Sequence, residues 1–490
     1  LPIGSDYADP IALLDQKRRE WLPRWNRDSA LSININDLYG EVRQAALQED
    51  PIQIDEATLA TFLGKTRGTR ATGLDGMSNQ DLKHSPPQSR AALCDIVNSI
   101  ITHAIVPRQM MLNVVQLIPK PKGGDRPITI TSTVFSLVMD VLGVQMNEWQ
   151  EAQEAFWDDA VKGSSALRAA LNRRMLDELE AGEKAHTISG YCDLEKFYDS
   201  ISIPKLVYHA QAADFPMRPL ALILQVHLST RVLRVNKWLS EPILPCTSII
   251  AGCRSSGHLA RVILYPLLQK MHQDHPPPRT IHFRCFVDDL VLRIVDTTAQ
   301  KACNEFVDCF HEILTELQRK HLTHSATKTV IRARDSALAC QAAKRITAKG
   351  TAVKANSPVT DLGTPVSSGN KRIATQANKR LAAAKGRTAR AKYMAKINSK
   401  ATILAKTGIT PAITWGGPAF GTPPSLARRQ RHMLASASAA PGAHACSLAT
   451  VAIRLGPKYE PWTRAVVEQV TWFLYTWVTA SSVMRKRIRA

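Results

Sequence analysis

The chain has 490 residues, 44% of them hydrophobic, and a formal net charge of +21. That length is too great for one core and calls for two to four units, while the apolar share is ordinary for a globular protein and excludes wholesale disorder. The charge points to a polyanionic partner, and no apolar run reaches the ~20 residues that span a bilayer, so no membrane partner is expected.

With no Met at position 1 and no start-like targeting segment, there is room for the chain to be a fragment. Its nine Cys form no C-x-x-C pair, which argues against a zinc knuckle or disulfide framework and for reduced thiols in an intracellular protein, nuclear or cytoplasmic. Residues 1–60 hold charged, helix-prone runs such as Gln16-Lys17-Arg18-Arg19-Glu20-Trp21 and no identifiable site. Up to Glu56 they carry 11 acids against 6 bases. Leu93, Ile96, Val97, Ile100 and Ile101 recur at helical spacing, predicting a packed helix that Pro107 ends. Val114-Val115-Gln116-Leu117-Ile118 and Ile128-Thr129-Ile130 flank a Pro- and Gly-rich turn and predict a hairpin, with Lys120, Lys122 and Arg126 exposed on or beside its tip.

Helices are expected over 132–147, 167–179 and 204–213, the second leading into a strand that ends on Asp193. An apolar helix over 262–271 follows Gly252-Cys253-Arg254-Ser255-Ser256-Gly257. His272 and His275 lack metal-spaced partners and read as loop residues before three prolines. Residues 281–295 form two short apolar runs interrupted by Asp288-Asp289, the pattern of a hairpin with carboxylates at its tip. An amphipathic helix is expected over 303–317. Between 362 and 459 there is no Asp or Glu but 16 Lys and Arg, 11 basic residues falling within 371–406 in Ala-rich helical sequence. Along it Lys379, Arg380, Arg387, Arg390, Lys396 and Lys400 could line a face that follows phosphates. The apolar stretch 470–484, with Trp472, Phe473, Tyr475 and Trp477, reads as a core helix.

An Asp pair alone fits a plain turn. If Asp193, 95 residues upstream, sits beside Asp288 and Asp289, three carboxylates converge. They are hard oxygen ligands of the kind Mg²⁺ takes together with water and substrate phosphates. Two such ions about 3.5–4 Å apart serve in-line phosphoryl displacement.

Several blocks in order resemble those of reverse transcriptases, especially of the non-LTR retrotransposon and group II intron-like type. Thr72-Gly73-Leu74-Asp75-Gly76 is similar to the opening "PGxDG" block, and 117–128 to the fingers hairpin. Asp193-Leu194-Glu195-Lys196-Phe197-Tyr198-Asp199 is similar to the first catalytic block, Phe286-Val287-Asp288-Asp289 to "F/Y-x-D-D", and Leu362-Gly363 to the primer-grip "LG". The likeness covers roughly 61–430, and Thr407-Gly408-Ile409-Thr410-Pro411-Ala412 through Trp415-Gly416-Gly417 resembles a retrotransposon-type continuation of the thumb. Ser255 and Ser256 stand where the family has Gln and Gly.

The resemblance implies an α+β right-hand polymerase with fingers, a palm built on an antiparallel sheet and a helical thumb. The expected division is an extension at 1–60, fingers and the start of the palm at 61–185, palm at 186–361 and basic thumb with C-terminal helices at 362–490, which leaves no residues for an endonuclease or RNase H domain. It implies RNA-directed DNA polymerisation in which Asp193, Asp288 and Asp289 hold two Mg²⁺ ions, or Mn²⁺ in their place. Lys120, Arg126 and Lys122 would hold the dNTP triphosphate. Tyr198 would exclude a ribose 2′-hydroxyl, unless it merely packs beside Phe197. Lys328 would assist pyrophosphate departure, unless it is a plain surface lysine. RNA template, DNA primer or their hybrid, and dNTPs are the implied partners. An RNA-dependent RNA polymerase, favoured by the Asp193/Asp199 spacing, and a non-catalytic RNA-binding descendant of a retroelement, favoured by Ser255-Ser256, stay open as rivals.

Overall fold

The structure, a computed structural model, describes residues 9–30, 35–66, 71–73, 75–120, 124–275, 281–356, 359–366, 374–438 and 446–489. The chain divides into two units. The first comprises Leu1–Ala155, Leu194–Pro276 and Glu312–His324, and the second Phe156–Asp193, Pro277–His311 and Ser325–Ala490. The α+β class expected from the sequence is the one the chain adopts, helices packed on separate sheets.

Among the described residues the first unit has a four-stranded sheet in the order Asp125–Ile130, Asn113–Pro119, Arg231–Val235, Trp238–Leu239. The first two strands are the predicted hairpin, paired from Val114↔Ile130 to Pro119↔Asp125. The helix Pro10–Trp25 lies on this sheet. Asp9 caps it by accepting from the backbone of Ile11 and Ala12, and Pro10 fits the first turn because its missing N–H would have no partner there. Leu14, Trp21 and Trp25 pack with Val115, Leu117, Leu233 and Ile243, and Lys17 pairs with the buried Asp125 at 2.6 Å. The N-terminal segment is therefore part of this core. The helix Pro87–His103 stops four residues before Pro107, because Ala104 turns left-handed (φ 49°) and Ile105 N–H returns to the Ile100 carbonyl. Ile96, expected inward, is exposed.

The second unit is built on a five-stranded sheet in the order Ile281–Phe286, Asp289–Asp296, His186–Cys192, Val330–Ala333, Lys354–Ala355. The Asp288-Asp289 hairpin is its edge pair and the strand leading to Asp193 its middle. Phe306 and Phe310, from the helix Ala299–Arg319, stack at 5.2 Å under that middle strand, each fully buried. Burial of that kind stabilises by roughly 1.5–3 kcal/mol per ring. Charges in this unit are buried in pairs: Arg293 meets Glu180 and Asp177 of the helix Ala166–Gly182.

Further along, Thr375–Ile397 is a 23-residue helix with a narrow buried stripe of Leu381, Ala384, Thr388, Ala391 and Ala395. The stripe packs with Ile409, Ile413, Leu426 and Leu434. The expected core helix over 470–484 is corrected by the structure. The helix runs Pro461–Thr479 and buries only Pro461 and Ala465, while Val467, Val470, Phe473, Leu474 and Val478 are exposed. Hydropathy marks such a stretch as apolar but says nothing about whether a neighbour covers it.

Gly190 in the middle strand exists because nothing larger fits. A Cβ there would lie 2.7 Å from Phe310 and 2.9 Å from Phe306. Gly190→Ala is expected to lower stability by about 1–3 kcal/mol through overpacking. A urea midpoint equal to wild type at unchanged slope would show that the rings yield freely.

Candidate active site

Strand register brings two of the acids together in the second unit. His186–Cys192 pairs antiparallel with the Asp289–Asp296 strand, ending at Cys192↔Leu290, so the next step sets Asp193 against Asp289. Asp288 belongs to the two-residue turn closed by Phe286↔Asp289. In that turn Val287 is held at φ 62°, a conformation β-branched residues rarely adopt and one that a functional turn can store as strain. Burial first, then the like charges of Asp288, Asp361 and Asp193, push the Asp289 carboxyl up to about 7, against the opposing pull of Arg173.

Lys328 supplies the nearest positive charge to Asp193, its Nζ lying 2.9 Å from Oδ2. The contact is built in, because Ser325 N–H donates to the Asp193 carbonyl and Lys328 N–H to the Ser325 carbonyl. The Lys328 side chain is itself 65% exposed, so the pair is a weak one that can be displaced. Among the described residues no three Asp, Glu, His or Cys side chains already form an ion-holding group. The donors nonetheless suit a hard cation: carboxylate oxygens only, one of them held up by burial and by its neighbours' charge and relieved by any cation that arrives.

The Leu362-Gly363 turn joins two short strands, Thr360–Asp361 and Thr364–Pro365, with both turn residues left-handed (φ 48° and 76°). Arg173, from the helix Ala166–Gly182, bridges Asp361 at 2.5 Å and Asp159 at 2.8 Å, both carboxylates buried. Arg380 Nη2 donates to the Gly363 carbonyl and Nη1 to the Trp415 carbonyl at 2.7 Å, while Trp415 Nε1 donates to the Leu362 carbonyl at 3.2 Å. Arg380 was expected to face phosphates, but one of its N–H groups holds this turn and another the Trp415 carbonyl. Lys379, Arg387, Arg390, Lys396 and Lys400 are exposed as expected. At ~100° per residue, Lys379, Arg387 and Arg390 lie to one side of the buried stripe of Thr375–Ile397. Lys396 lies to the other, with Lys385 and Lys392, two exposed cations that the initial set omits.

In the first unit, Lys120 and Arg126 are exposed at the hairpin's end, where Lys120 N–H donates to the Gly124 carbonyl at 2.9 Å. Lys122, expected to help hold the triphosphate, and Leu74 of the opening block lie outside the described residues. Gly73 sits against the Thr131 carbonyl, 2.9 Å from where a Cβ would be, and Asp75 accepts from Thr133 N–H. The loop before the helix Ser256–Asp274 is stitched to the same hairpin: Thr129 N–H donates to the Ala251 carbonyl, and Gly252 adopts φ 103° beside it.

Ser255 and Ser256 are both buried. Ser256 Oγ donates to the Ile250 carbonyl at 2.5 Å, and Ser255 Oγ lies 3.1 Å from Cys253 Sγ, so these substitutions fasten the loop from within. Tyr198 is half-buried on the 3₁₀ turn Phe197–Ser200, edge-on to Phe197 at 5.3 Å, and its carbonyl accepts from Ile249 N–H at 2.9 Å.

Arg173 and Asp361, which bear on Asp289 and on the Leu362-Gly363 turn, are residues that sequence reasoning passes over. Only Asp361 carried a local signal, its place directly before Leu362-Gly363. Arg173 acts through a partner distant in sequence, Asp361.

Asp289→Asn keeps the side chain's shape and removes its charge. With a folded-state carboxyl at about 7 against the ordinary 3.8, the wild type loses stability as pH rises from about 4 to about 7, and the variant has no such slope. Without divalent ions the variant should be the more stable at pH 8, by on the order of 1–3 kcal/mol, an advantage that closes towards pH 4. Thermal midpoints in EDTA at pH 5 and pH 8 measure this; equal midpoints at pH 8 would mean Asp289 ionises there at no cost.

The sequence profile of the reverse transcriptase (RNA-dependent DNA polymerase) family matches residues 118–366. No curated protein matches the chain. Among solved structures, an apo telomerase from Candida tropicalis, truncated from its C-terminal domain, is similar at a TM-score of 0.35 and 14% identity. The match covers 47% of this chain and 51% of that one, so the chain spans about half the length of the structure it matches. The profile runs from the first strand of the 113–130 hairpin, across the Asp193 strand and the Asp288-Asp289 turn, to just beyond Leu362-Gly363. A match of that extent, about half the chain, places the protein in the reverse transcriptase family.

Proposed function

We propose that the chain is an active RNA-directed DNA polymerase of the non-LTR retrotransposon or group II intron-like type, extending a primer 3′-hydroxyl with dNTPs on an RNA template. The observation that carries this is the Asp193, Asp288, Asp289 constellation with its Asp289 carboxyl lifted to about 7. Carboxylates crowded in this way cost stability unless a cation joins them, and a protein that only bound RNA would gain nothing from them. When bound, two Mg²⁺ ions, or Mn²⁺, supply the charge that stabilises attacking and leaving oxygens at the α-phosphate. Asp193, Asp288 and Asp289 hold that charge, and Lys328, displaced from Asp193, is free to follow the departing pyrophosphate. Lys120 and Arg126 grip the triphosphate, with Lys122 as a third, and Tyr198 closes the sugar pocket to a 2′-hydroxyl.

The division into an extension at 1–60, fingers at 61–185, palm at 186–361 and thumb at 362–490 belongs to the same reading, as does template–primer duplex running along Thr375–Ile397. No helix of the described residues is long and apolar enough to cross a membrane. One observation weighs against an RNA polymerase: the Asp199 carboxylate accepts from Trp25 Nε1 at 2.9 Å and is thus engaged within its own unit.

Primer extension on poly(rA)/oligo(dT) with Mg²⁺ tests the proposal. Wild type should extend with dTTP, and Asp288→Asn should lose roughly 10²–10³-fold in rate while binding template–primer as before. An inactive wild type would favour the RNA-binding descendant, a preference for rUTP the RNA polymerase, and a fully active mutant would remove Asp288 from the site.

Template–primer affinity should fall steeply with salt, each phosphate contact adding about 0.9 to the log–log slope. Replacing Lys379, Arg387 and Arg390 by Ala in one variant, and Lys385, Lys392 and Lys396 in another, should flatten the slope on the side that faces the duplex. Unchanged slopes in both would take the nucleic acid off this helix.

A further inference from the structure

The turn that carries Tyr198 is fastened from the N-terminal segment, which has no role in the reaction so far. Trp25 is 1% exposed and its Nε1 donates to Asp199 Oδ1 at 2.9 Å, one residue beyond Tyr198. Arg27 Nη2 donates to the Ser200 carbonyl at 2.9 Å, the next residue on. On the other side, Lys196 is held left-handed (φ 46°) with its ammonium 4.0 Å over the Trp21 ring. The same segment binds the strip that supports Tyr198 from behind. The Trp25 carbonyl accepts from Cys246 and Thr247 N–H, and two residues later Ser248 and Ile249 N–H donate to the carbonyls of Ile201 and Tyr198.

Beneath lies a buried charge. The Arg231 guanidinium, 1% exposed, sits 4.8 Å from the Trp25 ring centroid and donates to Ser248 Oγ and the His227 carbonyl. Burial pushes it down to about 10, against the pull of Asp199, which itself is pushed up by burial and steadied by Trp25 and Arg231.

We propose that Trp25, with Arg27, is a positioning element for sugar discrimination: through Asp199 and Ser200 it fixes the turn from which Tyr198 excludes the ribose 2′-hydroxyl. The physical case is one of tolerance. Exclusion by bulk separates substrates that differ by one oxygen atom, so it works only if the ring cannot retreat by a fraction of an ångström. A single 3₁₀ turn has poor hydrogen-bond geometry of its own, and this one depends on outside partners at Lys196, Tyr198, Asp199 and Ser200. The substrates distinguished are deoxyribonucleoside and ribonucleoside triphosphates. The inference rests on the polymerase reading above and on Tyr198 as the excluding residue.

The experiment measures the ratio of kcat/KM for dTTP to that for rUTP on poly(rA)/oligo(dT). It compares wild type, Tyr198→Ala, Trp25→Phe and the double variant, with thermal midpoints for each. Trp25→Phe keeps an aromatic ring and loses the N–H. It should reduce the ratio by about tenfold while dTTP extension stays within a few fold, and should leave the ratio of Tyr198→Ala unchanged when combined with it. Arg27→Ala, at an exposed side chain, should lower the ratio in the same direction and keeps the test available if Trp25→Phe does not fold. A collapsed ratio in Tyr198→Ala beside wild-type ratios in Trp25→Phe and Arg27→Ala overturns the positioning role and leaves the polymerase reading standing. Equal losses from Trp25→Phe with and without Tyr198 overturn it as well, as general damage. An inactive wild type, or an unchanged ratio in Tyr198→Ala, brings down the underlying reading and this inference with it.

Discussion

Everything chemical in the second unit depends on a register. The middle strand ends at Cys192 opposite Leu290, and a slip of one residue would turn Asp193 to the other face of the sheet. That register is guarded from below by Gly190 against two phenylalanine rings, and from above by Arg293 and Arg173, which reach from the sheet and its covering helix to buried acids. A missing side chain and two ion pairs thus hold the strand in the register that sets Asp193 against Asp289, next to the turn that carries Asp288.

The buried arginines follow one pattern across both units. Arg173 pairs with Asp159 and Asp361, Arg293 meets Glu180 and Asp177, and Arg231, bonded to Ser248 and the His227 carbonyl, feels the charge of Asp199. Buried pairs of this kind are weak sources of net stability, because desolvation consumes much of the attraction. They do fix geometry, since a planar guanidinium binds carboxylates in few orientations. Two of the three stand next to a backbone turn that carries a candidate site residue: Arg173 by Leu362-Gly363 after Asp361, and Arg231 by Tyr198 before Asp199.

Much of this frame was legible in the sequence, because the signals were local. Short apolar runs of three to seven residues with turn residues between them gave both hairpins, and the acid at the end of a run gave Asp193. What was not legible depends on pairings over long distances in the chain. Nothing near Trp25 reveals that its indole meets Asp199, 174 positions away, and nothing near Arg173 reveals Asp361, 188 positions away. Arginines in helices ordinarily read as solvent-facing, which is why Arg380 was assigned to phosphate and its hold on Gly363 went unseen. At Ser255 and Ser256 the sequence shows only a replaced side chain, and not the thiol or carbonyl it turns to. The apolar helix near the C-terminus was misjudged for a related reason: composition measures how oily a surface is and never what lies against it.

The hold of Arg380 on Gly363 has a mechanical side. One guanidinium, anchored in the first turns of a 23-residue helix, grips the carbonyl of a turn at one nitrogen and the Trp415 carbonyl at another, while the Trp415 indole grips Leu362. The turn, the start of the helix and Trp415 are therefore tied into one unit, in which stretching any of these hydrogen bonds strains the other two, while Asp361 at the turn's other end is held by Arg173.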